Sequence, residues 1–332
     1  MKKTRVLMTL LLSFFLTITL SCEKETTEEL PAPVQDELSM LPQNPMGVGY
    51  LDVNAIRNSP FYQNIAKENQ SQWFTGRDYQ EFVNSTGIDL QKDINQLYFS
   101  MNTPSQQTKP QFLILAGGNF NENKIMDFVS KENADSAIQE SSYGKYHLYY
   151  TEKGKMALAF PENSRVVLGN EQMVKDFLNN LEKGPQNSDI AESIRNQISG
   201  LKYKSEMWFT IDARDFISDF LEKNSNSPQA QKFSALKSLD HLNFSMKADE
   251  DVYLNGSGIF DDQENASLFF DMAKGMIATA KLAMSGDRRA VDTLNKIKME
   301  LNGSTIEMNM QMSWEDWQHL QNQQKQMGQF QL

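Results

Sequence analysis

Three short stretches of this chain return, in the same order, in its second half. Gly49-Tyr50-Leu51-Asp52-Val53-Asn54-Ala55-Ile56 is echoed by Phe209-Thr210-Ile211-Asp212-Ala213-Arg214-Asp215-Phe216. Ile94-Asn95-Gln96-Leu97-Tyr98-Phe99-Ser100-Met101 is echoed by Leu239-Asp240-His241-Leu242-Asn243-Phe244-Ser245-Met246. Ala116-Gly117-Gly118-Asn119-Phe120-Asn121 pairs with Gly256-Ser257-Gly258-Ile259-Phe260-Asp261. One echo can arise by chance, but three in order call for the same supersecondary unit built twice. The expectation is two related domains over residues 42–183 and 203–320, with a linker at 184–202 and a polar tail at 321–332.

Periodicity gives each half the same element types. Alternating runs predict strands at 47–53, 95–101, 111–115, 146–151, 156–160 and 165–168, then at 207–211, 242–246 and 252–260. Helical spacing covers 62–84, 122–131 and 171–181, then 213–222, 266–284 and 288–296. Asn302-Gly303 is a strong hairpin signal, because the central residues of a type I′ turn need positive φ. Pairing Leu301 with Ser304 sets Met299 opposite Ile306 and Ile297 opposite Met308, and the same face runs on through Met310 and Met312. Adjacent antiparallel strands make an α+β fold, each domain an antiparallel sheet with helices packed on one face.

The first residues state where such a chain works. Met1-Lys2-Lys3-Thr4-Arg5 is basic, Val6 to Leu20 is uncharged, and Leu20-Ser21-Cys22 is followed at once by Glu23-Lys24-Glu25. That is the layout of a secretory signal, read as residues 1–21. Cys22 is the only cysteine in 332 residues, and at this position it reads as the acceptor of a diacylglycerol in a bacterial lipoprotein. A spanning anchor would need roughly 20 apolar residues, and simple secretion would leave one unexplained thiol. Lipidation accounts for both. One departure stands: Thr19 occupies the place, three before the cysteine, that leucine usually takes. Residues 22–41 read as an acidic flexible tether extended by Pro31 and Pro33.

Removal of Lys2, Lys3 and Arg5 moves the formal charge from −11 to −14, a surface that repels nucleic acid and anionic headgroups. Without a disulfide the fold rests on its core, for which 39% hydrophobic residues suffice. No set of residues presents a catalytic or metal-binding pattern. His147, His241 and His319 lack partners at ligand spacing. Gly256-Ser257-Gly258 falls in a strand and is too tight for a nucleophile elbow. Gly117-Gly118 lacks the rest of a phosphate-binding loop. Asp249-Glu250-Asp251 and Asp261-Asp262 do not fit the twelve-residue calcium loop, which leaves only weak calcium binding open. Met308, Met310 and Met312 could suggest Cu(I), but alternate strand positions favour core packing. Asp52 and Asp212 sit where an N-cap or turn is needed.

A resemblance accompanies this reading. The strand ending in Asp52, Ser59-Pro60, Thr86-Gly87-Ile88-Asp89 with Lys92-Asp93-Ile94, Gly118-Asn119-Phe120, Tyr143-Gly144-Lys145-Tyr146 and Leu168-Gly169 resemble a broad group of uncharacterised bacterial envelope proteins, many of them lipid-anchored. The resemblance covers roughly residues 41–181 and implies no activity. Glu23-Lys24-Glu25 also resembles the acidic signals that send some lipoproteins to the cell surface. The expectation is a non-enzymatic outer-membrane lipoprotein, anchored through Cys22, without cofactor or metal, that binds a protein or a glycan. The alternative is an envelope-polymer hydrolase with a carboxylate pair between the domains. An exposed apolar patch would favour the first, a cleft with two carboxylates the second.

Overall fold

Twelve short runs of alternating inward and outward side chains pair, in this computed structural model, into one antiparallel sheet. The structure describes residues 28–68, 77–102, 110–132, 138–150, 156–184, 190–214, 217–218 and 234–329. The strands are β1 (Gly47–Asp52), β2 (Ile94–Asn102), β3 (Gln111–Gly118), β4 (Gln139–Tyr143), β5 (Tyr146–Tyr150), β6 (Met156–Glu162), β7 (Arg165–Asn170), β8 (Met207–Asp212), β9 (Leu239–Ala248), β10 (Val252–Phe260), β11 (Lys298–Asn302) and β12 (Thr305–Met312). The helices are α1 (Ala32–Met40), α2 (Val53–Asn58), α3 (Pro60–Glu68), α4 (Arg77–Thr86), α5 (Leu90–Asp93), α6 (Glu122–Glu132), α7 (Glu171–Lys183), α8 (Glu192–Ser199), α9 (Gln263–Ala283), α10 (Arg288–Asn295) and α11 (Trp314–Gln329). The fold is α+β.

The strand order is β11-β12-β10-β9-β8-β1-β2-β3-β7-β6-β5-β4. Outward from the β1/β8 seam, β1-β2-β3-β7-β6 on one side matches β8-β9-β10-β12-β11 on the other, and β5-β4 is an added hairpin. The echoed residues obey this order. Gly49 and Phe209 are direct partners across the seam, Phe99 lies opposite Gly49, and Phe244 lies opposite Phe209. The third echo slips by two: Phe99 faces Ile114 while Phe244 faces Gly256, so Gly256 answers Ile114 and not Ala116. A two-residue slip keeps every side chain on its face.

The expectation of two sheets, one per domain, is corrected. β1 and β8 would each be an open edge of its own half, with unpaired N–H and C=O groups. Pairing Gly47 to Leu51 with Ile211 to Met207 satisfies both edges at once and makes a single sheet. Helices also lie on both faces, contrary to the one-face reading. On the inner face α1, α7 and α8 cover Tyr50, Tyr98, Leu113, Leu115, Leu148, Val167 and Trp208 in the main core. On the outer face α9 packs at one end of the strands, over Phe260 and Ile306, while Phe61, Trp314 and Trp317 pack at the other, around Val252 and Ala248.

Three segments read as loose are ordered by burial. In place of a flexible tether over 22–41, α1 inserts Val34, Leu38 and Met40 into the core, each at most 2% exposed. The prolines that seemed to extend it sit at its start, where a helix needs no N–H from them. The linker 184–202 contains α8, whose Ile194 and Ile198 join the same core with Leu201. The tail from 321 continues α11 as far as Gln329. Of the helix expected over 62–84, α3 and α4 cover the described parts, with 69–76 outside the described residues, and the one expected over 213–222 falls largely outside them too.

The hairpin forms two residues from the expected register. Asn302 pairs with Thr305, Leu301 with Ile306 and Met299 with Met308. Gly303 takes the left-handed conformation at φ 62° while Asn302 remains in the strand, so the two-residue loop is Gly303-Ser304 and not a type I′ Asn302-Gly303 turn. Ile306 and Met312 are buried, but Met308 is 42% exposed, which corrects the expectation that the methionine face is wholly core.

Where α10 meets α11, Asp316 accepts hydrogen bonds from Ser313 N (2.9 Å), Ser313 Oγ (2.8 Å), Thr293 Oγ1 (3.2 Å) and Lys296 Nζ (2.5 Å). Burial alone would raise its pKa; these donors outweigh burial and hold it down to about 2. The stabilisation is therefore present above the unfolded-state value near 3.8 and is lost as pH falls through that value towards 2. Lys296 is 41% exposed, so solvent screens the pair and the contribution is on the order of 1 kcal/mol. Acid titration of stability should show this: Asp316→Asn should lower stability at pH 7 and flatten the loss between pH 4 and 2. An unchanged acid limb would contradict it.

Candidate functional site

Cys22 lies outside the described residues. Glu28, the first described residue beyond it, is held by several hydrogen bonds. Its N–H donates to Lys202 O at 3.1 Å. Its Oε2 accepts from Lys204 N (2.9 Å), Ser205 N (3.2 Å) and Ser205 Oγ (2.8 Å), and Lys247 Nζ stands 3.4 Å from Oε1. Partial burial pushes its pKa up, yet these donors and the Lys247 charge leave it lowered. Beside it Glu206 accepts from Ala248 N at 2.6 Å, and burial keeps its pKa raised. Glu28 thus lies at the corner formed by the end of β1, the start of β8 and the β9–β10 turn.

The residues weighed for chemistry stay apart. His147 pairs with Glu140 (2.5 Å), His319 with Asp287 (2.7 Å), and His241 stands 3.6 Å from Asp240. Among the described residues no group of three His, Cys, Asp or Glu side chains could hold a metal. Gly256-Ser257-Gly258 is inside β10. Gly118 ends β3, and a Cβ there would fall 2.1 Å from Asp93 O, so its glycine serves a close backbone approach, not a phosphate. Asp52 caps α2 through Ala55 N (2.7 Å), and Asp262 caps α9 through Asn265 N (2.8 Å). Asp261 pairs with Arg214, which also bonds Asp240.

One polar cavity, of about 530 Å³, brings two carboxylates to a common wall: Asp93 and Glu122, with Thr86, Asn119, Asn121 and Asn163. Both acids already hold structural bonds. Asp93 accepts from Asp89 N (2.6 Å), and Glu122 accepts from Tyr149 Oη (2.7 Å). The cavity lies within the first half rather than between the two halves.

The outer face of the sheet is different in kind. Paired residues form one continuous row across it: Met299, Met308, Gly256, Phe244, Phe209, Gly49, Phe99, Ile114, Leu168, Leu158 and Tyr149. The only breaks in side-chain cover along it are glycines. Phe209 and Phe244 stack with ring centroids 5.5 Å apart. Phe99, Leu168, Phe209, Met308 and the neighbouring Leu242 are each more than a third exposed. From β12 to β7 the row crosses eight strands, roughly 34 Å at the usual strand spacing. The clusters under α9 and around Trp314 cover the ends of the strands on the β9–β12 side and leave the middle open. Scattered exposed apolar residues are ordinary; a contiguous band of them marks an interaction surface.

Sequence alone missed this band. Strands such as Leu242-Asn243-Phe244-Ser245-Met246 alternate cleanly, which defines two faces without saying which one is covered. Here Asn243 and Ser245 are the buried side and Phe244 the half-exposed one. The signal lay in the repeat, which places Phe99 and Phe244 on equivalent strands.

Among the described residues no helix is long and apolar enough to cross a membrane. No protein-family model matches the chain, and no curated protein matches it. Among solved structures the chain is similar to crystal forms of TP0453. Form III gives a TM-score of 0.49 at 13% identity, covering 84% of this chain and 95% of that one. Form I gives 0.45 at 14% identity, covering 85% and 94%. A likeness at this level is carried no further.

Proposed function

We propose that the mature chain is a lipid-anchored protein of the outer membrane, non-enzymatic, with two duplicated halves whose shared sheet receives a protein partner. The observation that carries this reading is the open apolar row through Phe99, Phe209, Leu168 and Met308. A floor of phenyl, isobutyl and thioether groups offers a glycan no hydrogen-bond partners for its hydroxyls. A polypeptide with an apolar stripe satisfies it along its length. The anchor is the diacylglycerol on Cys22, supported by the basic start, the uncharged run and the uniqueness of this cysteine.

A single experiment tests both parts. A photo-reactive phenylalanine analogue is placed at Phe99, Phe209 or, as an inner-face control, Asn309, and the cells are irradiated and fractionated. Adducts of one size from the two outer positions and none from Asn309 are expected, in the membrane fraction. Cys22→Ser should release the protein from the membrane. Membrane retention after that change would overturn the anchor, and adducts absent from the outer face or equal at Asn309 would overturn the partner surface.

A further inference from the structure

We infer that the chain stands against the bilayer with the Glu28 corner towards the phospholipid headgroups, so that the β9–β10 turn is membrane-proximal and the β11–β12 turn is not. This rests on the lipidation of Cys22 proposed above.

The argument is one of length. An anchor at Cys22 with a free tether to residue 41 would let the fold drift roughly 65 Å from the membrane, in any orientation. Glu28 removes that freedom, because its backbone and both carboxylate oxygens are bonded to Lys202, Lys204, Ser205 and Lys247. Six residue steps remain between Cys22 and Glu28, at most about 22 Å even when fully extended. Whatever conformation those steps take, the corner carrying Glu28 stays within that distance of the headgroups.

The corner has a defined place in the sheet. Lys247 precedes the β9–β10 turn at Asp249-Glu250-Asp251, and Met312 pairs with Val252 at the same end. β12 runs antiparallel to β10, so the Gly303-Ser304 turn lies at the other end, about 25 Å away along the strands. The partner of this surface is the phospholipid headgroup plane, and the apolar row on the outer face is left free for its own partner.

The test uses the lipidated protein. Since Cys22 is the only cysteine and is consumed by lipid, Glu250→Cys or Asn302→Cys gives a single labelling site. Each variant, carrying a donor fluorophore, is reconstituted into zwitterionic phosphatidylcholine vesicles containing an acceptor on headgroups. Energy transfer from position 250 should exceed that from position 302 at least twofold. Twenty Gly-Ser residues inserted between Cys22 and Glu28 should abolish the difference. Equal or reversed transfer in protein that floats with the vesicles would overturn the orientation alone. Protein that fails to float would overturn the anchor, and with it the premise.

Discussion

Leu38→Ala should destabilise the protein by about 2–5 kcal/mol, the range for truncating a fully buried leucine. Leu38 is 0% exposed, in a helix that contributes Val34, Leu38 and Met40 to the main core. Were this stretch a loose tether, the change would cost no more than about 0.5 kcal/mol. Urea unfolding followed through the tryptophans separates the two, and a loss under 1 kcal/mol would refute the docking of α1. The result also bears on the membrane orientation, since α1 follows directly on the Glu28 bonds.

Trp208→Ala should cost about 3–5 kcal/mol. Its indole is 1% exposed beside the seam, 6.0 Å from the Tyr50 ring, with Nε1 donating to Lys204 O at 3.2 Å. Its ring lies in the main core, while its strand pairs with β1 of the first half and β9 of the second. Trp208→Phe keeps most of the apolar contact and leaves the Lys204 carbonyl without that donor, so its loss should be about 1–3 kcal/mol. Both variants should still unfold in a single transition, because the strand that carries Trp208 pairs with β1 on one side and β9 on the other, so one sheet runs through both halves. Two separated transitions in the wild type would contradict halves joined through a single sheet.

What the sequence makes legible is local. The echoes located matching strands because pairing partners repeat, as Gly49–Phe99 and Phe209–Phe244 show. The turn at Gly303 was found, and its register missed by two, because positive φ is needed at one residue and not at Asn302 as well. The joining of the halves was not legible, since nothing in Gly47-Val48-Gly49-Tyr50-Leu51 states which of two edges it will meet. Nor was α1: Leu30, Val34, Leu38 and Leu41 recur at helical spacing, but Pro31, Pro33 and the acids hid the pattern. The open outer row escaped because alternation identifies two faces without saying which one helices will cover. Among the described residues, those weighed for chemistry proved to be caps, turns and ion pairs, a reading their positions beside strands and helices already carried.

The seam also sets an order of events as the chain is made. A chain that emerges with its N-terminus first presents α1 and the β1 edge long before Trp208, Ile194 and Ile198 arrive to cover them. Until then one strand edge is unpaired and the apolar side of α1 is wet, a state prone to wrong pairing with other chains. The N-terminal half is thus held in waiting by its C-terminal counterpart, and β8 is the step that closes it.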